Sequence, residues 1–162
     1  MRKNVRNICI SAILMAICYV LTTFAVIALP SGQGFLNFGD GLILFSVIIS
    51  GPWWGALVGV VSGSLADLTL GAVFYIPFTI VAKGGEAIIA GLLMKIFKNK
   101  TKFLAFVIGA LWMILVYFIG TIIFVENKTV AFVNVGFDTI QATVSIVLAL
   151  VLGKLLRKFI ES

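Results

Sequence analysis

Histidine is absent from the 162-residue chain, and the absence removes several chemistries at once. Without an imidazole there is no Ser/His or Cys/His nucleophile pair, no HExxH metal site and no histidine proton relay. A GxxxxGK[ST] phosphate loop is also missing, as is an acidic cluster of the DDxxD type that would hold magnesium and a diphosphate. Any ATP that drives this protein is therefore hydrolysed by another subunit, and neither a metal nor a cofactor is expected. Cysteine is scarce: Cys9 and Cys18 share one apolar segment, nine residues apart, which is beyond disulfide reach on a helix. They read as inert packing residues.

Charge is scarce too, at 11% of residues, while 62% are hydrophobic and the mean hydropathy is +1.21. Soluble domains carry roughly 25% charged residues, so this composition is that of an integral membrane protein. The length suits one bundle of about five or six spans at about 20 residues each, with no room for a separate soluble catalytic domain. The net charge of +6 does not point to nucleic acid, because the basic residues sit at span ends rather than on one soluble face. Arg2, Lys3 and Arg6 ahead of an apolar run imitate a secretory signal, with Val26, Ile27 and Ala28 near a would-be cleavage site. The run from Ile8 to Leu29 is too long for a signal core and more spans follow, so an uncleaved first helix is expected.

Apolar stretches predict spans at about 8–29, 38–50, 53–70, 76–95, 103–124 and 133–153, in a single domain covering residues 1–162. Hydropathy alone leaves Gly51 and Pro52 as either a turn between two helices or a kink in one. Charge separates the two. With six spans and the N-terminus inside, the cytoplasmic segments hold Arg2, Lys3, Arg6, Lys95, Lys98, Lys100, Lys102, Lys154, Arg157 and Lys158, ten of the twelve basic residues. Five spans would move seven of those ten outside, against the positive-inside tendency. The expectation is an all-α, six-helix membrane bundle with both ends inside. Its first outer segment, PSGQGFLN at 30–37, is rich in glycine and polar groups and can bend over whatever lies beneath.

Ionisable side chains within spans are expensive, about 2.5–3.5 kcal/mol at the centre, so each needs a partner or a cavity. Asp40 starts the second span, Asp67 lies near the outer end of the third, and Lys83 and Glu86 sit in the fourth within TIVAKGGEAIIA. Asp138 opens the sixth, with Asn134 and Gln141 nearby. All of these fall in the outer half or near the midplane, which predicts a polar cavity open to the outside. Two plainer readings stand beside it: Asp40 and Asp138 cap helix N-termini, and Lys83 pairs with Glu86 three residues on. Gly84 and Gly85 let a neighbouring backbone or a small ligand approach, and Gly55, Gly59 and Gly63, ending in Asp67, form a small-residue stripe for close helix packing. An intramembrane protease is disfavoured: GVVSG at 59–63 lacks the glycine two before the serine, and FGD at 38–40 follows Asn37 where a glycine is needed, with no second matching aspartate.

The block FLNFGDGLILF running into ISGPWWGALVGVVSGSLADL, and on to AKGGEAIIAGLL, resembles the substrate-binding S component of an energy-coupling factor (ECF) vitamin transporter. It is most similar to members assigned to pyridoxine or hydroxymethylpyrimidine, and SAILMA matches the family's AxxxA at Ala12 and Ala16. The resemblance implies a multi-pass subunit of a prokaryotic cell membrane that binds a vitamin near the outer surface, under the first loop. Ala12 and Ala16 would dock on a membrane coupling protein, the T component, which rides on two ABC ATPases. It implies no enzyme activity in the chain itself. The candidate substrate contacts are Asn37, Asp40, Asp67, Tyr75, Lys83, Glu86, Asn134, Asp138 and Gln141, with Tyr75, Trp112 or Tyr117 available for stacking. The residues do not choose among pyridoxine, a hydroxymethylpyrimidine, riboflavin, pantothenate or a folate. The alternative is a self-sufficient carrier or channel using Lys83, Glu86 and Asp67 as an ion relay.

Overall fold

The computed structural model describes residues 2–28, 35–97, 101–125 and 128–161. The described residues form six helices: α1 (Arg2–Phe24), α2 (Asp40–Ser50), α3 (Pro52–Thr69), α4 (Ile76–Ile96), α5 (Lys102–Val125) and α6 (Lys128–Glu161). A 3-10 turn, Val73–Tyr75, leads into α4. The all-helical membrane class holds, with one small addition. Two three-residue strands, β1 (Val26–Ala28) and β2 (Phe35–Asn37), pair antiparallel with Val26 opposite Asn37, Ile27 opposite Leu36 and Ala28 opposite Phe35. They flank the segment 29–34, so most of PSGQGFLN lies outside the described residues.

Four helical stretches are long and apolar enough to cross a bilayer: Asn4–Phe24, Val73–Ile96, Lys102–Phe124 and Lys128–Leu156. Their outward faces are studded with exposed Leu, Ile, Val and Phe, among them Ile13, Phe24, Phe74, Phe103 and Phe132, as a chain solvated by lipid requires. By contrast α2, with eleven residues, rises only about 16 Å and cannot cross about 30 Å of hydrocarbon alone. It turns at Gly51 and runs back against α3. The register of that hairpin shows in its contacts: a β-carbon at Gly55 would collide with Val47, and one at Gly59 would sit 3.1 Å from Ile43. Gly51 and Pro52 are therefore a turn, with Pro52 at the first position of α3, where its missing N–H is harmless.

The glycine stripe of α3 does pack its neighbours closely. A β-carbon at Gly59 would sit 3.1 Å from that of Lys83 and one at Gly63 would sit 2.7 Å from Thr79, so α4 lies flat against α3 with the Lys83 stem along the seam. On the other side of α4, Gly85 receives the indole of Trp112 from α5, whose N–H donates to the Val81 carbonyl at 3.0 Å. A β-carbon at Gly84 would sit 3.2 Å from Val60. Neighbouring side chains, not a ligand, fill the space left by these two glycines. The apolar core runs through the bundle on Ile43, Leu44, Val58, Phe106 and Met113, all at most 2% exposed.

Gly51 has φ 95° and ψ 178°, a region open almost only to glycine, yet nothing lies within 4 Å of where its β-carbon would be. Gly136 in α6 has equally open surroundings and helical backbone. Gly51→Ala should therefore destabilise the protein by about 1–3 kcal/mol through backbone strain alone, whereas Gly136→Ala should be neutral or mildly stabilising. Thermal unfolding of both variants in detergent checks this, and equal midpoints would contradict the strain assignment.

Candidate functional site

The site is assembled around the first residue of α2. Asn37, at the end of β2, accepts the Gly39 N–H on its Oδ1 at 3.0 Å, a two-residue side-chain turn that starts the helix. Gly39 packs so tightly on α1 that a β-carbon there would collide with Thr22, and its carbonyl accepts from the Cys18 thiol at 3.4 Å. These contacts bring Asp40 into the interior, 1% exposed, rather than to the surface as a helix cap. Its Oδ1 receives the Lys83 ammonium at 2.5 Å, and its Oδ2 receives the Gln141 amide at 2.6 Å. The Gln141 Oε1 in turn accepts the Asn37 backbone N–H at 2.8 Å. One connected network thus joins β2, α2, α4 and α6.

The Lys83–Glu86 pair that their spacing allows is not formed; the Lys83 partner lies 43 residues away in sequence. Lys83 Nζ also sits 5.3 Å from the centroid of the Tyr117 ring and 3.7 Å from the Met113 sulfur, soft partners for the face of the ammonium that Asp40 does not cover. A second polar pair lies beside this network. Thr79 donates to Asp67 Oδ2 at 2.5 Å and accepts from the Tyr117 hydroxyl at 3.2 Å.

Between the two networks is a cavity of about 80 Å³. One water needs roughly 10–15 Å³ on this measure, so the space holds several waters. Seven of the nine candidates line it: Asn37, Asp67, Tyr75, Lys83, Asn134, Asp138 and Gln141. Asn134, Asp138 and Gln141 do so because spacings of four and three put them on one face of α6. Asp40 is behind the wall, acting through Lys83 and Gln141, and Glu86 is off the wall altogether. The other lining residues are Thr22, Gly63, Ala72, Tyr117 and Thr121. Tyr117 was expected as a stacking surface; Trp112 was too, but it is bonded to Val81 on the outer side of α4 and α5. Thr22 and Thr121 escaped the sequence reading, although Asn7, Ser11, Cys18 and Thr22 recur at helical spacing along the buried face of α1. Among the described residues no group of three or more metal-ligating side chains forms.

Known proteins fit this architecture. The family model for the ECF-type riboflavin transporter, S component, matches residues 2–158. The thiamine precursor transporter HmpT of Lactococcus lactis subsp. cremoris (strain MG1363) is 30% identical over 158 residues, 96% of this chain and 90% of that protein. A Pyrococcus woesei protein, described only as an uncharacterized protein in gap 3'region, is 35% identical over 142 residues, 86% of this chain and 93% of its own length. A solved structure described as the S component of a bacterial ECF transporter shares the fold with a TM-score of 0.81 at 21% identity, covering 98% of this chain and 99% of that one. The resemblance carried by the FLNFGD to AKGGEAIIAGLL block thus extends along nearly the whole chain, and the protein belongs to the S components of ECF-type transporters, the substrate-binding membrane subunits of that class.

Proposed function

We propose that this subunit captures a single-ring heteroaromatic vitamin precursor bearing a hydroxymethyl group, of the hydroxymethylpyrimidine type, and that the whole chain acts as one six-helix unit in doing so. The observation that carries the reading is the cavity itself. It is small, about 80 Å³, and polar groups from β2, α3, α4 and α6 converge on it. Its wall offers a lysine and amide donors, two carboxylate acceptors and two tyrosine rings, a set that matches a flat ring with amino, ring-nitrogen and hydroxyl edges. The similarity to a thiamine precursor transporter supports the same choice over the riboflavin of the family description. Pyridoxine, also a single hydroxymethylated ring, is the second candidate.

In this reading Asn37, Asp67, Tyr75, Lys83, Asn134, Asp138 and Gln141 contact the ligand, and Asp40 positions Lys83 and Gln141. The protein sits in a prokaryotic cell membrane, takes its ligand from outside, and delivers it inward with a coupling T component and two ABC ATPases. Ala12 and Ala16, one turn apart and both exposed on α1, form the docking surface.

Titration calorimetry on the purified subunit should give a Kd for hydroxymethylpyrimidine at least tenfold below that for riboflavin, a difference of about 1.4 kcal/mol or more. Tighter riboflavin binding would overturn the assignment. Gln141→Leu removes a wall amide and strands both the Asn37 N–H and Asp40 Oδ2, so it should weaken binding by roughly ten- to hundredfold while leaving partner assembly intact. Unchanged affinity would take Gln141 out of the site. Ala12→Trp or Ala16→Trp should abolish co-purification with the coupling protein and leave ligand binding unaltered. Ion-driven uptake by the chain alone in liposomes would point instead to a self-sufficient carrier.

A further inference from the structure

Glu86 does not line the cavity, yet among the described residues it is the most confined charged side chain. It is 0% exposed, and both carboxylate oxygens are without a hydrogen-bond partner among the described residues. No other charged side chain there shares that condition. A buried carboxylate left bare is strongly unfavourable, and within a membrane such a residue marks a function by default. Packing does not explain it either: α5 presses on this turn of α4 closely enough that a β-carbon at Gly109 would lie 2.8 Å from the Glu86 carbonyl oxygen.

The charged groups nearest in effect to Glu86 are those of the ion pair already described. Asp40 and Lys83 are the charged groups that act on it. Lys83 precedes it by three residues, on a neighbouring part of the same helical face. The Lys83 stem lies along Gly59 and Gly63, so a shift of its outer methylenes meets no side chain from those two positions of α3. Met113, whose sulfur touches the ammonium, is a flexible and polarisable neighbour that can follow such a shift.

We propose that Glu86 is a second seat for the Lys83 ammonium, taken when the cavity gives up its ligand. With Nζ on Asp40, Lys83 faces the cavity and ties α4 to the start of α2. With Nζ on Glu86, one turn along α4, it leaves the wall, and Asp40 is held by Gln141 alone. The exchange withdraws a charge from the ligand and loosens the network that anchors Asn37, without at any stage leaving an ammonium unpaired in the bundle. The release role rests on the cavity being the ligand site; the second seat does not.

Two measurements on the purified full-length protein test this. In a thermal-unfolding cycle without ligand, E86Q should shift the midpoint little, since Glu86 has no partner to lose. D40N should lower it moderately because Lys83 moves to Glu86, and D40N/E86Q should lower it by well over the sum because Lys83 then loses both seats and keeps only Asp67 and Asp138 across the cavity. Additive shifts, or a D40N loss as large as that of the double variant, would overturn the second seat. In the other measurement, E86Q loaded with labelled hydroxymethylpyrimidine should release it several-fold more slowly than the parent, and equal or faster release would overturn the release role. If the parent fails to bind hydroxymethylpyrimidine, the ligand assignment falls, and the unfolding cycle still decides whether Glu86 seats Lys83.

Discussion

The pairing of Asp40 with Lys83 sets the terms for the rest of the bundle. In a helix bundle surrounded by hydrocarbon neither charge is tolerable alone, and together they are tolerable only if their remaining hydrogen-bonding capacity is met. Gln141 supplies the missing donor to Asp40, and Tyr117 and Met113 cover Lys83. Several features of the fold then follow. The α2 helix has to begin at the depth of Lys83 rather than at the membrane surface, which accounts for its eleven residues. The chain before it has to descend to that depth, and β1 with β2 provides the descent while satisfying its own backbone groups.

Room for the pair comes from missing side chains. Gly59 and Gly63 let the lysine stem lie between α3 and α4, Gly39 brings the start of α2 against Thr22, and Gly85 lets Trp112 lock α5 onto α4. The apolar core does not select this arrangement, since well-packed apolar residues in place of a buried ion pair are often neutral or more stable by about 1–4 kcal/mol. The pair contributes orientation instead. It points one donor and one amide into the cavity with their rotamers already set by Asp40, so that ordering them is not charged against ligand binding.

Much of this was legible in the sequence, for a physical reason: a charge in a membrane span is too expensive to be accidental. Composition and the placement of basic residues were enough to predict six helices and a polar cavity, and seven of the nine polar candidates lie on its wall. What sequence could not supply was who pairs with whom. Lys83 has a carboxylate three residues away and another 43 residues away, and helical spacing favours the near one. The distant one prevails because α2 and α4 meet in three dimensions. Asp40 was equally ambiguous, since an acid at a helix start is a good cap, and only the packing of Gly39 on α1 buries it. Thr121 gave no signal, and Thr22 only the weak one of its spacing with Asn7, Ser11 and Cys18, because a hydroxyl in a helix can bond to the carbonyl four residues back and so carries little penalty. The two strands, three residues each, fall below what alternation can reveal.

The division between the wall and what stands behind it bears on how one fold serves different ligands. The solved S component shares this backbone at 21% identity, so the scaffold persists while most side chains change. Here Asp40 and Glu86 lie behind the wall, Lys83 and Gln141 belong both to the wall and to the network, and Thr22 lines the wall with an uncharged hydroxyl. Exchanging Thr22 alters the cavity without removing a charge from it. Exchanging Lys83 or Gln141 alters the cavity and the interior together, so a change of ligand there needs a matching change at Asp40. Ligand choice in this bundle is therefore freer on the α1 side of the wall, and most constrained where α2 meets α4.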